Sequence, residues 1–261
     1  MPITFVKMYK NFKSLIRLGS ASILILLLSC SSKKMYVQQL TPQHVIISDN
    51  AVDSQIVKTI QPYKQSIDGK MHEVIGITPV ALTKKTPEST LGNFFAEAIF
   101  DRVKRLPNVD TVNTFAMFNN GGLRTSVPQG NIMVGSMFEL MPFENKLVLV
   151  KISSDRLLKL LNFIVEKDGA PVAGIRFTIA DKKPTNIVIN GKPFDTSTTY
   201  YVATSDYLAG GGDKFFSSDE NNSMVKTDFL LRDILIDYCR NLSKQNKPVT
   251  ANLDGRIQYA K

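Results

Sequence analysis

The sequence predicts an α+β fold, a mixed β-sheet packed with helices. Strand-like and helix-like stretches interleave irregularly, without the βαβα rhythm of a doubly wound sheet. No internal repeat is present, and 261 residues at 43% apolar content suffice to bury one good core.

The first 29 residues read as an export signal: Lys7, Lys10, Lys13 and Arg17, then an apolar run from Ala21 to Leu28, then the small Ser29 before Cys30. Met8 serves as well as Met1 for the start. The apolar run is about half the ~20 residues a membrane span needs. Leu27-Leu28-Ser29-Cys30 resembles a bacterial lipobox, which implies that Cys30 becomes a lipidated N-terminus. The resemblance places the protein in the cell envelope, anchored to a bacterial membrane and facing the periplasm or the exterior. With Cys30 lipidated, Cys239 has no intramolecular disulfide partner, and on an apolar helical face it reads as a buried thiol. Residues 30–49 read as the lipidated cysteine and a tether, and 50–261 as the folded domain.

From Asn50 onward Val52, Ile56, Ile60, Tyr63 and Ile67 recur at helical spacing, with Asp49 or Asn50 as cap and Pro62 expected to kink or divide the helix. Val74 to Leu82 is strand-like. Thr86-Pro87-Glu88 is expected to open a second helix, with Thr86 capping and Leu91, Phe95, Ile99 and Val103 as its buried stripe. A short strand, Thr114 to Phe118, precedes a glycine turn, and Ile132 to Leu140 follows as a short helix or bend. Lys146 to Ile152 alternates as a strand, and Ser153 or Ser154 caps a helix over Leu157 to Glu166. Three strands follow (Gly174 to Ala180, Ile187 to Ile189, Tyr200 to Thr204), with Asn190-Gly191 as a hairpin-type turn. A helix from about Asp228 to Leu242 and a strand from Arg256 to Tyr259 complete the chain.

The formal charge is +9, of which four positive charges lie in the acid-free leader, leaving +5 for the rest. That balance suits anionic small molecules. No RNP motif, zinc finger or dense Lys/Arg stripe accompanies it, which argues against a nucleic-acid partner.

Three segments carry residues suited to ligand chemistry. In Asn119-Asn120-Gly121-Gly122-Leu123-Arg124 two glycines permit close backbone approach or positive φ, and Arg124 offers a planar fork for phosphate. Alone, such a turn reads more readily as a bare turn with a solvated arginine. Pro142-Phe143-Glu144-Asn145 presents a flat apolar face and a paired donor and acceptor, although a strand-entry loop whose phenylalanine joins the core fits equally. The third is Thr204-Ser205-Asp206-Tyr207-Leu208-Ala209-Gly210-Gly211-Gly212-Asp213. Its three consecutive glycines mark a sharp bend or a close approach, and Tyr207 offers a second face on which a base can stack. The alternative is a surface loop plugged by Tyr207.

Taken in this order, the three segments resemble the C-terminal substrate-binding domain of bacterial 5′-nucleotidases and UDP-sugar hydrolases, from about Ile75 to Tyr259. The resemblance implies that Arg124 meets a substrate phosphate, with Asn120 and Gly122 of the same turn around it. It implies that Phe143 and Tyr207 sandwich the base, tyrosine replacing the more usual phenylalanine, and that ribose and base contacts fall on Asn145 and Asp213. Fuller phosphate sites of the family draw further arginines from before the second helix. Here that stretch reads Leu82-Thr83-Lys84-Lys85-Thr86-Pro87, with Lys85 the nearest substitute.

The family's full-length enzymes hydrolyse the phosphoester with two metal ions and a His/Asp dyad in an N-terminal metallophosphatase domain. This sequence offers two histidines, His44 in the tether and His72 near the first strand, neither in a ligand spacing. No GxSxG elbow or Cys/His arrangement supplies another nucleophile. The expectation is a chain with no catalytic residue, metal or cofactor of its own, binding a nucleotide or nucleoside. Either it completes a split nucleotidase whose divalent metals sit in a separate metallophosphatase chain, or it is a non-catalytic binding lipoprotein of the envelope.

Overall fold

The computed structural model describes residues 54–217 and 224–260. The signal at 1–29, Cys30 and the tether, His44, and the proposed caps Asp49 and Asn50 lie outside the described residues. The described elements run α1 (Ser54–Met71), β1 (Val74–Thr78), α2 (Thr90–Val103), β2 (Thr114–Met117), a 3₁₀ turn (Asn120–Gly122), β3 (Gly130–Met133), α3 (Val134–Leu140) and β4 (Lys146–Ser153). They continue with α4 (Ser154–Glu166), β5 (Val172–Ala173), β6 (Ile175–Ala180), β7 (Lys183–Ile189), β8 (Lys192–Pro193), β9 (Thr199–Ser205), α5 (Asp206–Ala209) and a second 3₁₀ turn (Gly212–Lys214). Strand β10 (Met224–Leu230), α6 (Leu231–Lys244) and β11 (Ile257–Tyr259) finish the chain.

The central sheet has five strands in the order β10-β4-β9-β2-β5, with β2 and β9 parallel and the other pairs antiparallel. Alternate side chains of its strands enter two different cores, as the period-2 geometry of a strand demands. Ala116, Phe118, Leu147, Leu149 and Ala203 join the core formed with α2 and α6. Phe115, Met117, Val148, Val150 and Val202 join the core formed with α4 and β6. The inner strands of the sheet are therefore buried on both faces, which explains why Phe115 to Phe118 run apolar without a break and all four residues of β2 are buried. A four-stranded sheet, β11-β6-β7-β8, backs the second core, and β1 pairs with β3 as a separate ribbon. The fold is α+β with mixed sheets.

Leu91, Phe95, Ile99 and Val103 form the buried stripe of α2. The helix begins later than Thr86-Pro87 suggests: Ser89 caps it, its Oγ accepting from the Gly92 N–H at 2.9 Å. The Thr86 hydroxyl instead donates to Asp168 Oδ2 at 2.6 Å. Ser153 caps α4, and Asn190-Gly191 turns between β7 and β8 with φ of 46° and 81°, the twist a two-residue hairpin needs. The expected helix from Asp228 starts at Leu231, because Met224–Leu230 instead forms an edge strand along β4. Helix α1 runs through Pro62 without dividing, and its stripe faces outward: Ile60 is 51% and Tyr63 72% exposed. Cys239 is buried on α6, where desolvation pushes its thiol up to about 12. Among the described residues no helix is long and apolar enough to cross a membrane.

Candidate functional site

Strand β2 delivers the glycine turn from a fixed point. Phe118 is buried, its ring meeting Phe95 edge-on at 4.8 Å, and its N–H donates to the Pro171 carbonyl at 3.0 Å. Neither Gly121 nor Gly122 has a positive φ. The Asn119 side chain crowds both: a Cβ on Gly122 would lie 3.0 Å from Asn119 Oδ1, and one on Gly121 3.3 Å from Nδ2. Leu123 is buried, its carbonyl accepting from Lys84 Nζ, and the Arg124 N–H donates to the Leu140 carbonyl at the end of α3. The Arg124 side chain is thus presented at the surface from a backbone held on both sides.

The second segment hangs on α6. Arg232 is buried, stacks 3.9 Å above the Phe138 ring, and donates to the Met141 and Phe143 carbonyls at 3.5 and 3.4 Å. The Leu231 N–H donates to the Asn145 carbonyl at 2.9 Å. The loop backbone is fixed while the Phe143 ring remains 39% exposed, its centroid 5.9 Å from the Arg124 guanidinium carbon.

The third segment leaves β9 through α5, capped by Ser205, whose Oγ accepts from the Leu208 N–H. Gly211 takes φ +96°, and Asp213 and Lys214 follow at +50° and +64°, a run of left-handed backbone that L side chains rarely adopt. A Cβ on Gly212 would meet the Tyr207 ring and carbonyl at 2.6 Å, so the loop folds directly against its own tyrosine. The Tyr207 hydroxyl donates to Asp213 Oδ1 at 2.9 Å, and Asn119 Nδ2 donates to Oδ2 at 2.6 Å. That hydrogen bond, with the carboxylate's charge, holds the Tyr207 phenol above its usual pKa of 10.0.

These segments converge on one cavity of about 320 Å³. Gly122, Arg124, Phe143, Asn145, Tyr207 and Asp213 line it, together with Asn119 and Gly121. Both aromatics are exposed there, although each could equally have been a core plug. A permanent cation, two aromatic faces, an amide and a carboxylate can together hold a flat heterocycle, a hydroxylated linker and an anionic group.

Two predicted residues are placed elsewhere. Asn120 lies in an adjoining cavity with its amide 3.3 Å from the Gly169 carbonyl, and the exposed Lys85 lines neither cavity. The lysine that reaches the turn is Lys84. Asn119, which locks two of the segments together, was not among the predicted site residues; the glycines beside it are the only sequence sign of the space its side chain occupies. Exposed His72 bonds through Nδ1 to the Asp68 carbonyl at 2.7 Å.

The family model described as "5′-nucleotidase, C-terminal domain" matches residues 69–218, more than half of the chain. The chain belongs to this family. It is 26% identical over 230 residues to a 5′-nucleotidase of Vibrio cholerae, covering 84% of this chain and 39% of that protein. It is also 26% identical over 220 residues to a trifunctional nucleotide phosphoesterase of Bacillus subtilis, covering 76% of this chain and 15% of that one. The crystal structure of a 5′-nucleotidase precursor from Thermus thermophilus superposes with a TM-score of 0.64 at 26% identity, covering 78% of this chain and 43% of the other. The chain thus spans about two-fifths of the length of the 5′-nucleotidases it matches.

Proposed function

We propose that this 5′-nucleotidase C-terminal domain is the substrate-binding half of a split hydrolase that removes phosphate from nucleotide monoesters, in nucleotide catabolism, with a separate metallophosphatase chain. The observation that carries the reading is the single cavity on which Arg124, Phe143, Asn145, Tyr207 and Asp213 converge from three segments. Phe143 and Tyr207 stack on the base, where flat faces bind without demanding one base. Asn145 and Asp213 take hydrogen bonds from base and ribose. Arg124 holds the phosphate through its planar guanidinium fork.

No group of three or more His, Cys, Asp or Glu among the described residues is placed to hold a metal ion, and the proposal puts the divalent metals in the partner. Bound there, they would activate water and polarise the phosphoester. This chain's own contribution is to fix the phosphate where that centre can reach it, which cuts the entropic cost of the encounter. In the same reading Cys30 carries the lipid that keeps the domain at the envelope surface. A second reading, a non-catalytic nucleotide- or nucleoside-binding envelope lipoprotein, draws on the exposure of both aromatic rings, which is enough to capture a base without phosphate chemistry.

Phosphate release from AMP with added divalent metal distinguishes the readings when measured for this chain alone and mixed with a metallophosphatase chain that lacks its own C-terminal domain. Release by the mixture only is the expected result. AMP binding without release by the mixture favours the second reading. Release by the purified chain alone, or no nucleotide binding by any form of the chain, overturns both.

A further inference from the structure

Beyond the Asn119–Asp213 hydrogen bond lies a second cavity of about 490 Å³, sharing Asn119, Gly121 and Asp213 with the first as a common wall. Lys167 and Lys214 also line it. Among the described residues neither lysine forms an ion pair; the Lys167 ammonium rests 5.2 Å from the Phe163 ring centroid. Lys214 is carried on the left-handed segment that also sets Asp213, so its side chain starts from the same backbone that builds the first cavity. Asn120, placed here rather than at Arg124, adds an amide with one acceptor and a donor to spare.

The two cavities are arranged about one carboxylate. Arg124 stands at the first and the two lysines at the second, with Asp213 between. We propose that the second cavity is a subsite for an additional anionic group on the ribose edge of the nucleotide, a phosphate on the 2′ or 3′ oxygen of a 5′-nucleotide. The inference rests on the nucleotide reading above. With the 5′ phosphate on Arg124 and one of the two ribose hydroxyls donating to Asp213, a phosphate on the other ribose oxygen is placed at the shared wall, on the side of Lys167 and Lys214. Two ammonium groups offset the repulsion that Asp213 exerts on a second phosphate. Substrates carrying phosphates at both ends of the ribose would then be favoured over simple monophosphates.

Titration calorimetry of the chain with AMP and with adenosine 3′,5′-bisphosphate at low ionic strength tests this. The bisphosphate is expected to bind about ten-fold more tightly, the worth of two exposed ion pairs of ordinary strength. Lys167→Ala with Lys214→Ala removes that advantage and leaves AMP affinity unchanged. Lys182→Ala with Lys183→Ala, which deletes the same charge at the exposed β6–β7 turn, leaves the advantage in place. Equal affinity for the two ligands in the unsubstituted chain overturns the subsite, as does an advantage that survives loss of both cavity lysines or vanishes with the control pair. Failure to bind AMP itself overturns the nucleotide reading and this inference with it.

Discussion

Asn119 Nδ2 and Asp213 Oδ2 lie 2.6 Å apart, a hydrogen bond that joins the glycine turn after β2 to the tyrosine loop after β9. It spans 94 residues of sequence and closes the wall between two cavities. The same asparagine fills the space left by Gly121 and Gly122, so the turn's shape and the carboxylate's position depend on one side chain. Asn119→Ala removes a bond worth about 1 kcal/mol in stability and frees Asp213 on one side. Nucleotide affinity, read by calorimetry, is expected to fall about five- to ten-fold, with a drop in melting temperature of a few degrees. Unchanged affinity would show that Asp213 is placed by its own loop alone.

Arg124 is exposed, and its backbone is tied to Leu140. Arg124→Ala therefore leaves the fold intact and deletes a charge-assisted contact, typically about 1.5–3 kcal/mol. AMP binding should weaken by at least roughly ten-fold while adenosine binding changes less than about two-fold. Equal losses for the two ligands would count against a phosphate contact.

Arg232 is the complementary case, buried behind a residue of the cavity lining rather than in it. Its guanidinium stacks on Phe138 and donates to the carbonyls of Met141 and Phe143, and its buried Nε has no hydrogen-bond partner among the described residues. Arg232→Met leaves two carbonyls short of a donor, costing roughly 1–3 kcal/mol in stability by denaturant titration. Because it acts through the Phe143 backbone, AMP and adenosine affinities are expected to fall together. Arg232→Lys should rescue only part of the loss, since an ammonium can donate to both carbonyls, as Nη1 alone does here, but cannot lie flat on Phe138.

The sequence carried much of this architecture where residue pattern and burial coincide. Leu91, Phe95, Ile99 and Val103 repeat at helical spacing because one face of α2 is buried, and Leu147 to Val150 run apolar without the alternation expected there because β4 sits between two cores. The pattern failed where burial is weak. Strand β10 is a mostly exposed edge, so Met224 to Leu230 has no alternation to read, and its end blended into the apolar register of α6. The stripe of α1 was legible as a helix, but periodicity says nothing of what covers it, and Ile60, Tyr63 and Ile67 are exposed. In the site, residue types were legible and partnerships were not. The roles of Asn119 and Lys84 come from contacts with Asp213 and with the Leu123 carbonyl, which only the folded chain brings near.

Gly212 tests the loop through its close contact with Tyr207. A methyl group there meets the Tyr207 ring and carbonyl at 2.6 Å, so either the ring or the backbone must move. Gly212→Ala is expected to cost roughly 1–3 kcal/mol, as overpacking does, and to weaken adenosine binding through displacement of Tyr207. Gly69→Ala is the control. It lies within α1 with open space around it, and the substitution should stabilise by about 0.5–1 kcal/mol without touching ligand affinity.

The Tyr207 phenol provides a pH-dependent reading of the same loop. Its hydrogen bond to Asp213 favours the protonated, donating form, and ionisation would put a phenolate beside a carboxylate, so the pKa in the folded chain lies above 10.0. A folded value raised above the unfolded one means the bond contributes stability fully below pH 10, and the contribution disappears as pH rises through the raised value. Absorbance at the phenolate band, taken as the difference between the unsubstituted chain and Tyr207→Phe, should titrate with a midpoint above 10.0. Asp213→Asn removes the charge and should bring that midpoint back down. A midpoint at the ordinary tyrosine value in both forms would mean that the phenol and carboxylate are not bonded in solution. Asp213 would then be left to Asn119 alone.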